Sequence, residues 1–327
     1  MRHIQLVASA IALAGTIAHA DVGEVARDVI GPAYRDFAAA TAAANDAAMR
    51  DCSAAPLRDH YQDTWDEWAK IDFFRLGPVE EGGRAFAISF WPDKKSSGQR
   101  AQQSLIDSNS GVIDDPEAFA TVSVAARGLS GLERLLYESD LEGDEDVLCR
   151  LRRATAADLA RTAQEIADEW PSFQELLTSA GAEGNSRYLS PAEAQQAVYT
   201  QIITGLDHLV TNRLGRPIGT AEKPRPDAAE AGPSGRSLRN IELSLTGLRD
   251  AAMALHPEAA AVQQKFDEAI AIAQEMNDPT LAGVADPEGR KRALALARAV
   301  LTAKLAVETD IGMTLGIGVG FNSTDGD

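Results

Sequence analysis

Apolar side chains recur every three or four residues along most of this chain, and the breaks between runs carry helix-capping signals. After Pro56, for example, Leu57, Tyr61, Trp65 and Trp68 share one face, the spacing that a helix buries against a core. Residues 22–49 are an Ala-rich helical run with a kink expected at Pro32. Asp115 caps a helix opened by Pro116 and expected to reach about Tyr137. Residues 145–180 form another long run, with an interruption expected near Pro171. Ser190-Pro191-Ala192-Glu193 is a capping-box start for a helix continuing to Leu214. Residues 215–235 are rich in Pro, Gly and charge and read as a loop; helices resume over 234–255 and 257–276. Asp286-Pro287 opens a last helix to about Asp310, before a glycine-rich tail. Only residues 85–91, bulky side chains in partial alternation ended by Pro92, read as a short extended segment. The expected fold is all-α, two packed helical bundles. A boundary near residues 181–189 gives an N-terminal bundle over 21–185 and a C-terminal bundle with the tail over 186–327.

Residues 1–20 read as an export signal. Arg2 supplies positive charge, residues 4–17 are mostly apolar but short for a membrane span, and Ala18-His19-Ala20 predicts cleavage between Ala20 and Asp21. No cysteine follows that would carry a lipid anchor, and no other run is long enough to cross a bilayer. Cleavage leaves 307 residues with 30 basic and 49 acidic side chains, a net charge of −19. Such a surface repels phosphate backbones, which argues against nucleic acid as a partner. In an oxidising envelope the two cysteines, Cys52 and Cys149, are expected to pair. Their disulfide would close a long loop and stabilise by about 2–4 kcal/mol.

Two clusters carry candidate chemistry. In Gly128-Leu129-Ser130-Gly131-Leu132-Glu133, Ser130 and Glu133 are three residues apart and share a helix face. Each glycine costs a helix about 1 kcal/mol relative to alanine, which points to close approach of another backbone or a ligand. Arg236 and Arg239, again three apart and beside Asn240, stand at a predicted helix start, where positive charge opposes the macrodipole. Acidic partners or an anionic ligand would offset that. The tail segment 316–320 follows a helix, so it is not a dinucleotide fingerprint. Asn322, Asp325 and Asp327 offer oxygen ligands without the remaining positions of a calcium loop.

The first cluster resembles the G-x-H-x-x-E helix of the imelysin family. Phe90-Trp91-Pro92-Asp93 is similar to the segment before that motif. Residues 234–240, Ser-Gly-Arg-Ser-Leu-Arg-Asn, resemble the second-half signature, and 320–327 resemble the C-terminal end. The resemblance implies an all-helical two-bundle fold, an envelope location, a metallopeptidase label and a link to iron-regulated uptake. The motif's histidine is Ser130 here. A neutral hydroxyl is a poor ligand for zinc or iron and a poor general base near neutral pH. Glu133 remains the metal-ligand candidate, for iron or another divalent metal, if other helices bring carboxylates to it.

The expectation is therefore a noncatalytic binding protein of the periplasm, associated with iron, metal or haem uptake and with envelope uptake components. Its small ligand would meet Ser130, Glu133, Arg236, Arg239 and Asn240, between walls of Trp65 and Trp91. A metal-dependent peptidase is the first alternative and requires a histidine beside Glu133. A structural module is the second, with Glu133 consumed by an ion pair to Arg236 or Arg239.

Overall fold

The computed structural model describes residues 21–138 and 140–317. The cleavage site's Ala20, the export signal and the tail carboxylates Asp325 and Asp327 therefore lie outside the described residues. The described chain is helical throughout, with no strand. In order, the α-helices are α1 (Val22–Glu24), α2 (Gly31–Arg50), α3 (Ala54–Ile71), α4 (Arg84–Ile88), α5 (Ser97–Asp107), α6 (Pro116–Phe119), α7 (Gly128–Tyr137), α8 (Glu145–Thr178), α9 (Pro191–His208), α10 (Gly215–Ile218), α11 (Ser237–Leu255), α12 (Ala260–Met276) and α13 (Pro287–Ala306).

Periodicity explains the packing. Helix α2 buries Tyr34, Phe37, Ala38, Thr41 and Ala48 along one face. Helix α3 buries Leu57, Tyr61, Trp65 and Trp68, and α8 buries Leu159, Ala163, Ile166 and Trp170. These faces meet, and α11 packs on α3 on one side and on α12 on the other, so one apolar core runs from Val22 to Ile311 through both halves of the chain. A small satellite core of Ile106, Ile113, Phe119, Leu135, Val147 and Leu151 lies under α5–α8. Cys52 and Cys149 form the expected disulfide, with their Cα atoms 5.1 Å apart, tying the α2–α3 connection to α8.

The capping signals act as read. The Ser190 hydroxyl accepts from the Glu193 amide at 3.3 Å, while Glu193 reaches back to the Leu189 amide at 2.7 Å. Asp115 and Asp286 accept from the first-turn amides of α6 and α13.

Three expectations need correction. Residues 85–88 are not extended but belong to α4: Ala85 and Ile88 point inward at helical spacing while Phe86 faces solvent, so the alternation of bulk marks no buried strand face. The chain becomes extended only from Ser89. The helix from Pro116 does not reach Tyr137. It ends at Phe119, and a new one starts at Gly128, whose φ of +63° breaks any continuous helix. Pro171 does not interrupt α8. It lies on the exposed face, while Trp170 and Phe173 on either side are buried, and Trp170 donates to the Ala26 carbonyl at 3.2 Å. Packing of the flanking aromatics holds the helix in line across the missing amide hydrogen bond. Near Pro32 the irregularity is a π-helical turn, Val25–Ile30, just before it.

Candidate ligand pocket on the motif helix

Helix α7 carries the motif. A Cβ on Gly128 would stand 2.1 Å from the Ala87 carbonyl oxygen, and one on Gly131 would stand 2.5 Å from that of Ala126. Both glycines therefore serve close backbone approach, which seats the start of α7 against α4 and the Val124–Ala126 turn. Leu129, Leu132 and Leu136 face the main core. Ser130, Glu133 and Arg134 are left lining a cavity of about 420 Å³.

Glu133 is 9% exposed. Its Oε1 accepts from the Ser234 hydroxyl at 2.6 Å and from the Ser234 amide at 3.0 Å. Burial raises its pKa to about 7 despite those hydrogen bonds, and Glu138 and Glu230 push the same way. Near neutral pH this carboxyl group is poised between its charged and neutral forms. Behind it, the Trp65 indole donates to the Tyr61 hydroxyl at 2.8 Å.

The opposite walls come from Phe90, Trp91, Pro92 and Asp93 after α4, from Arg216 on α10, and from residues 227–231 of the loop before α11. Asp93 is engaged locally, accepting from the Ser97 and Gly98 amides at the start of α5 at 2.9 and 2.7 Å. Glu230 is engaged by Arg213 at 2.7 Å. Arg216 stacks over Trp91, 5.6 Å from guanidinium carbon to ring centroid. Its Nε is buried and donates to nothing among the described residues. Arg134 donates to the Gln102 side chain at 2.7 Å and to the Ala125 carbonyl, and among the described residues no carboxylate stands in ion-pair range of it.

Of the residues singled out by sequence, Ser130, Glu133, Trp65 and Trp91 thus share one cavity. Arg236, Arg239 and Asn240 do not line it. Arg236 is buried behind Trp65, 5.9 Å from its ring, and pairs with Asp66 at 2.6 Å, with the Gln62 carbonyl at 3.1 Å and with Asn240 Oδ1 at 3.2 Å. Arg239 is exposed and also grips Asp66. Burial opposes ionisation of Asp66, but hydrogen bonds from Arg239 and Arg236 outweigh it and hold its pKa below the ordinary value. Asn240 Nδ2 contacts Glu230 at 3.3 Å. The charge at the start of α11 is therefore balanced by α3, and Glu133 forms no ion pair with Arg236 or Arg239.

Sequence reasoning missed Arg216 and Arg134. Arg134 adjoins the motif and shares its helix with Glu133, so it was within reach of a face argument. Arg216, between Gly215 and Pro217, carries no local signal; only folding sets it on Trp91.

The donor set does not fit a resident metal. Among the described residues no three His, Cys, Asp or Glu side chains gather in a group able to hold an ion. Ser130 supplies a hydroxyl where an imidazole would be needed, and Glu133 Oε1 is already taken by Ser234. His208 packs edge-on against Trp91, with ring centroids 6.2 Å apart, and burial and Arg213 lower its pKa.

Fold and motif define an all-helical protein with a polar pocket on the G-x-x-x-x-E helix. The imelysin family profile matches residues 30–307, and the chain belongs to that family. It is 22% identical to the iron-regulated protein A of Synechococcus elongatus, the match covering 74% of this chain and 67% of that protein. A solved imelysin-like protein from Psychrobacter arcticum has a TM-score of 0.75 at 21% identity, covering 93% of this chain and all of that one. A solved putative iron-regulated protein A precursor from Parabacteroides distasonis has a TM-score of 0.60 at 13% identity, over 88% and 93% of the two chains. Among the described residues no helix is long and apolar enough to cross a membrane.

Proposed function

We propose that this chain is an exported, noncatalytic binding protein of the cell envelope, acting beside uptake components in an iron-responsive system that takes up iron, another metal or haem. The observation that carries the reading is the 420 Å³ cavity on the motif helix, walled by Trp65, Trp91, Ser130 and Glu133. It has room for a small ligand, while the position that would bear the motif's imidazole bears a hydroxyl. The iron-regulated relative supports the physiological context. Residues 1–20 support export by their composition, with maturation between Ala20 and Asp21. The proposal keeps two bundles, 21–185 carrying the motif and 186–327 carrying the α10–α11 side of the pocket.

The test is expression of the full chain in a bacterial host, followed by fractionation, N-terminal sequencing and a peptide-hydrolysis assay with added zinc or ferrous iron. A periplasmic protein beginning at Asp21, with no hydrolysis above a Glu133→Gln variant, is expected. Metal-dependent hydrolysis abolished by that substitution would overturn the noncatalytic reading in favour of a peptidase. Retention of the protein in the cytoplasm would overturn its export.

A further inference from the structure

The pocket's charges sort into those already satisfied and those left available. Asp93 is held by the amides of α5 and Glu230 by the buried Arg213. Glu133 Oε1 is held by Ser234. Glu138 and Asp227 are the remaining carboxylates of the lining, and Glu138 lies within electrostatic reach of Arg134 without forming an ion pair among the described residues. On the cationic side, Arg216, Arg134 and Lys94 line the cavity, and none has a carboxylate within ion-pair distance among the described residues. In a chain with 49 acidic side chains against 31 basic ones, three cations outside the ion pairs of the described residues meet at one cavity. Arg216 is the most pointed case. A buried guanidinium nitrogen without an acceptor carries a desolvation cost, and the face of the same group is fixed on Trp91. Stacking on an aromatic ring orients the planar guanidinium and leaves its edge to meet a planar oxyanion.

We propose that the pocket binds a small ligand through an oxyanion group, a carboxylate or a phosphate, held by the Arg216 edge, with Arg134 and Lys94 adding charge and Ser130 a neutral hydrogen bond. This rests on the binding-protein reading above and specifies its ligand class. It replaces the clamp expected from Arg236 and Arg239, which Asp66 neutralises, and it assigns the site to an anionic group in preference to a bare metal cation.

The test is titration of the exported full-length product with citrate in one arm and inorganic phosphate in the other. Tryptophan fluorescence is the readout, since Trp91 and Trp65 line the cavity, and pH and ionic strength are held constant with sodium chloride. Binding of at least one probe is expected, weakened roughly tenfold or more by Arg216→Gln and unchanged by Arg239→Gln. The arm that binds tells a carboxylate from a phosphate site. Thermal melts accompany both variants, and Arg216→Lys, which keeps the charge but loses the planar fork, should bind at an intermediate level. Absence of binding by both probes, or binding that Arg216→Gln leaves intact, overturns the proposal. Ferric ion alone binding in a manner lost with Glu133→Gln but kept with Arg216→Gln would overturn it while leaving the binding-protein reading standing. Metal-dependent peptide hydrolysis would overturn the latter.

Discussion

Arg213 and Arg216 lie three residues apart where α9 passes through a π-helical turn into α10, yet their surroundings are opposite. Arg213 is fully buried and fully engaged: its guanidinium meets Asp72 from the end of α3, Glu230 at 2.7 Å and the Ser244 hydroxyl of α11. Arg216 is half-buried, stacked on Trp91, with its Nε unpartnered. Residue type is the same at the two positions. What differs is whether the fold delivers carboxylates, and that separates an arginine that holds elements together from one placed at a cavity wall.

The largest effect that would sharpen this contrast is expected at Arg213. Replacing it by Met leaves Asp72 and Glu230 buried without their cation, and removal of one partner from a buried pair costs about 3–5 kcal/mol. Urea unfolding measures it. A loss below about 1 kcal/mol would show that the cluster relaxes to admit water and would erase the distinction from Arg216.

Next in size is the pH response of Glu133, which faces Ser234 and Tyr61 and feels Glu138, Glu230 and Arg134. Its pKa in the fold is raised to about 7 from 4.5. The folded state therefore keeps a proton that the unfolded chain has released. The resulting stabilisation is complete below the unfolded value and is lost as pH rises through the folded one. Glu133→Gln, neutral at every pH, does not lose it. The variant should gain on the parent chain by about 3 kcal/mol between about pH 5 and pH 8, in unfolding curves at each pH. A gap that does not change with pH would mean that the carboxylate is solvated in the fold.

A smaller effect is expected at Asp66. Changing it to Asn removes the anion shared by Arg236 and Arg239, and loss of charge-assisted hydrogen bonds to the buried Arg236 should cost about 2 kcal/mol. Arg239→Ala, on the exposed side of the same carboxylate, should cost about 0.5 kcal/mol or less. Equal losses would contradict the assignment of Arg236 as the structural member of the pair.

These positions show where sequence suffices. The helices were legible because apolar spacing and capping residues such as Ser190 and Asp286 act within a few residues of one another. Pro171 was misread because tertiary packing of Trp170 and Phe173 overrides a local breaker. At the site, Ser130 and Glu133 were legible from one helix face, and Trp65 and Trp91 reach the same cavity. The second cluster misled because its counter-charge, Asp66, stands 170 residues before Arg236 and so leaves no local trace. Gly128 and Gly131 announced a close approach without telling backbone from ligand; it is backbone. Arg216 was illegible for the reason that Asp66 was: a cation's meaning depends on what the fold places opposite it.

The smallest expected change in stability belongs to Arg216→Gln, and its smallness is the sharpest form of the contrast with Arg213. Among the described residues the side chain makes no ion pair to lose, and its buried Nε finds no acceptor. What the substitution removes is the stacking on Trp91, a contact of about 0.5–1 kcal/mol at a partly exposed site. Against it stands relief of an unsatisfied buried donor, of similar size and opposite sign. Unfolding free energies of the variant and the parent chain should therefore agree within about 0.5 kcal/mol when no anion is present. When the medium contains the anion that binds, the parent should gain stability with concentration and the variant should not, because a ligand that binds only the folded state stabilises it by mass action. A variant that is unstable without ligand would place Arg216 with Arg213 as a fold-holding arginine, and the two positions would then differ in degree alone.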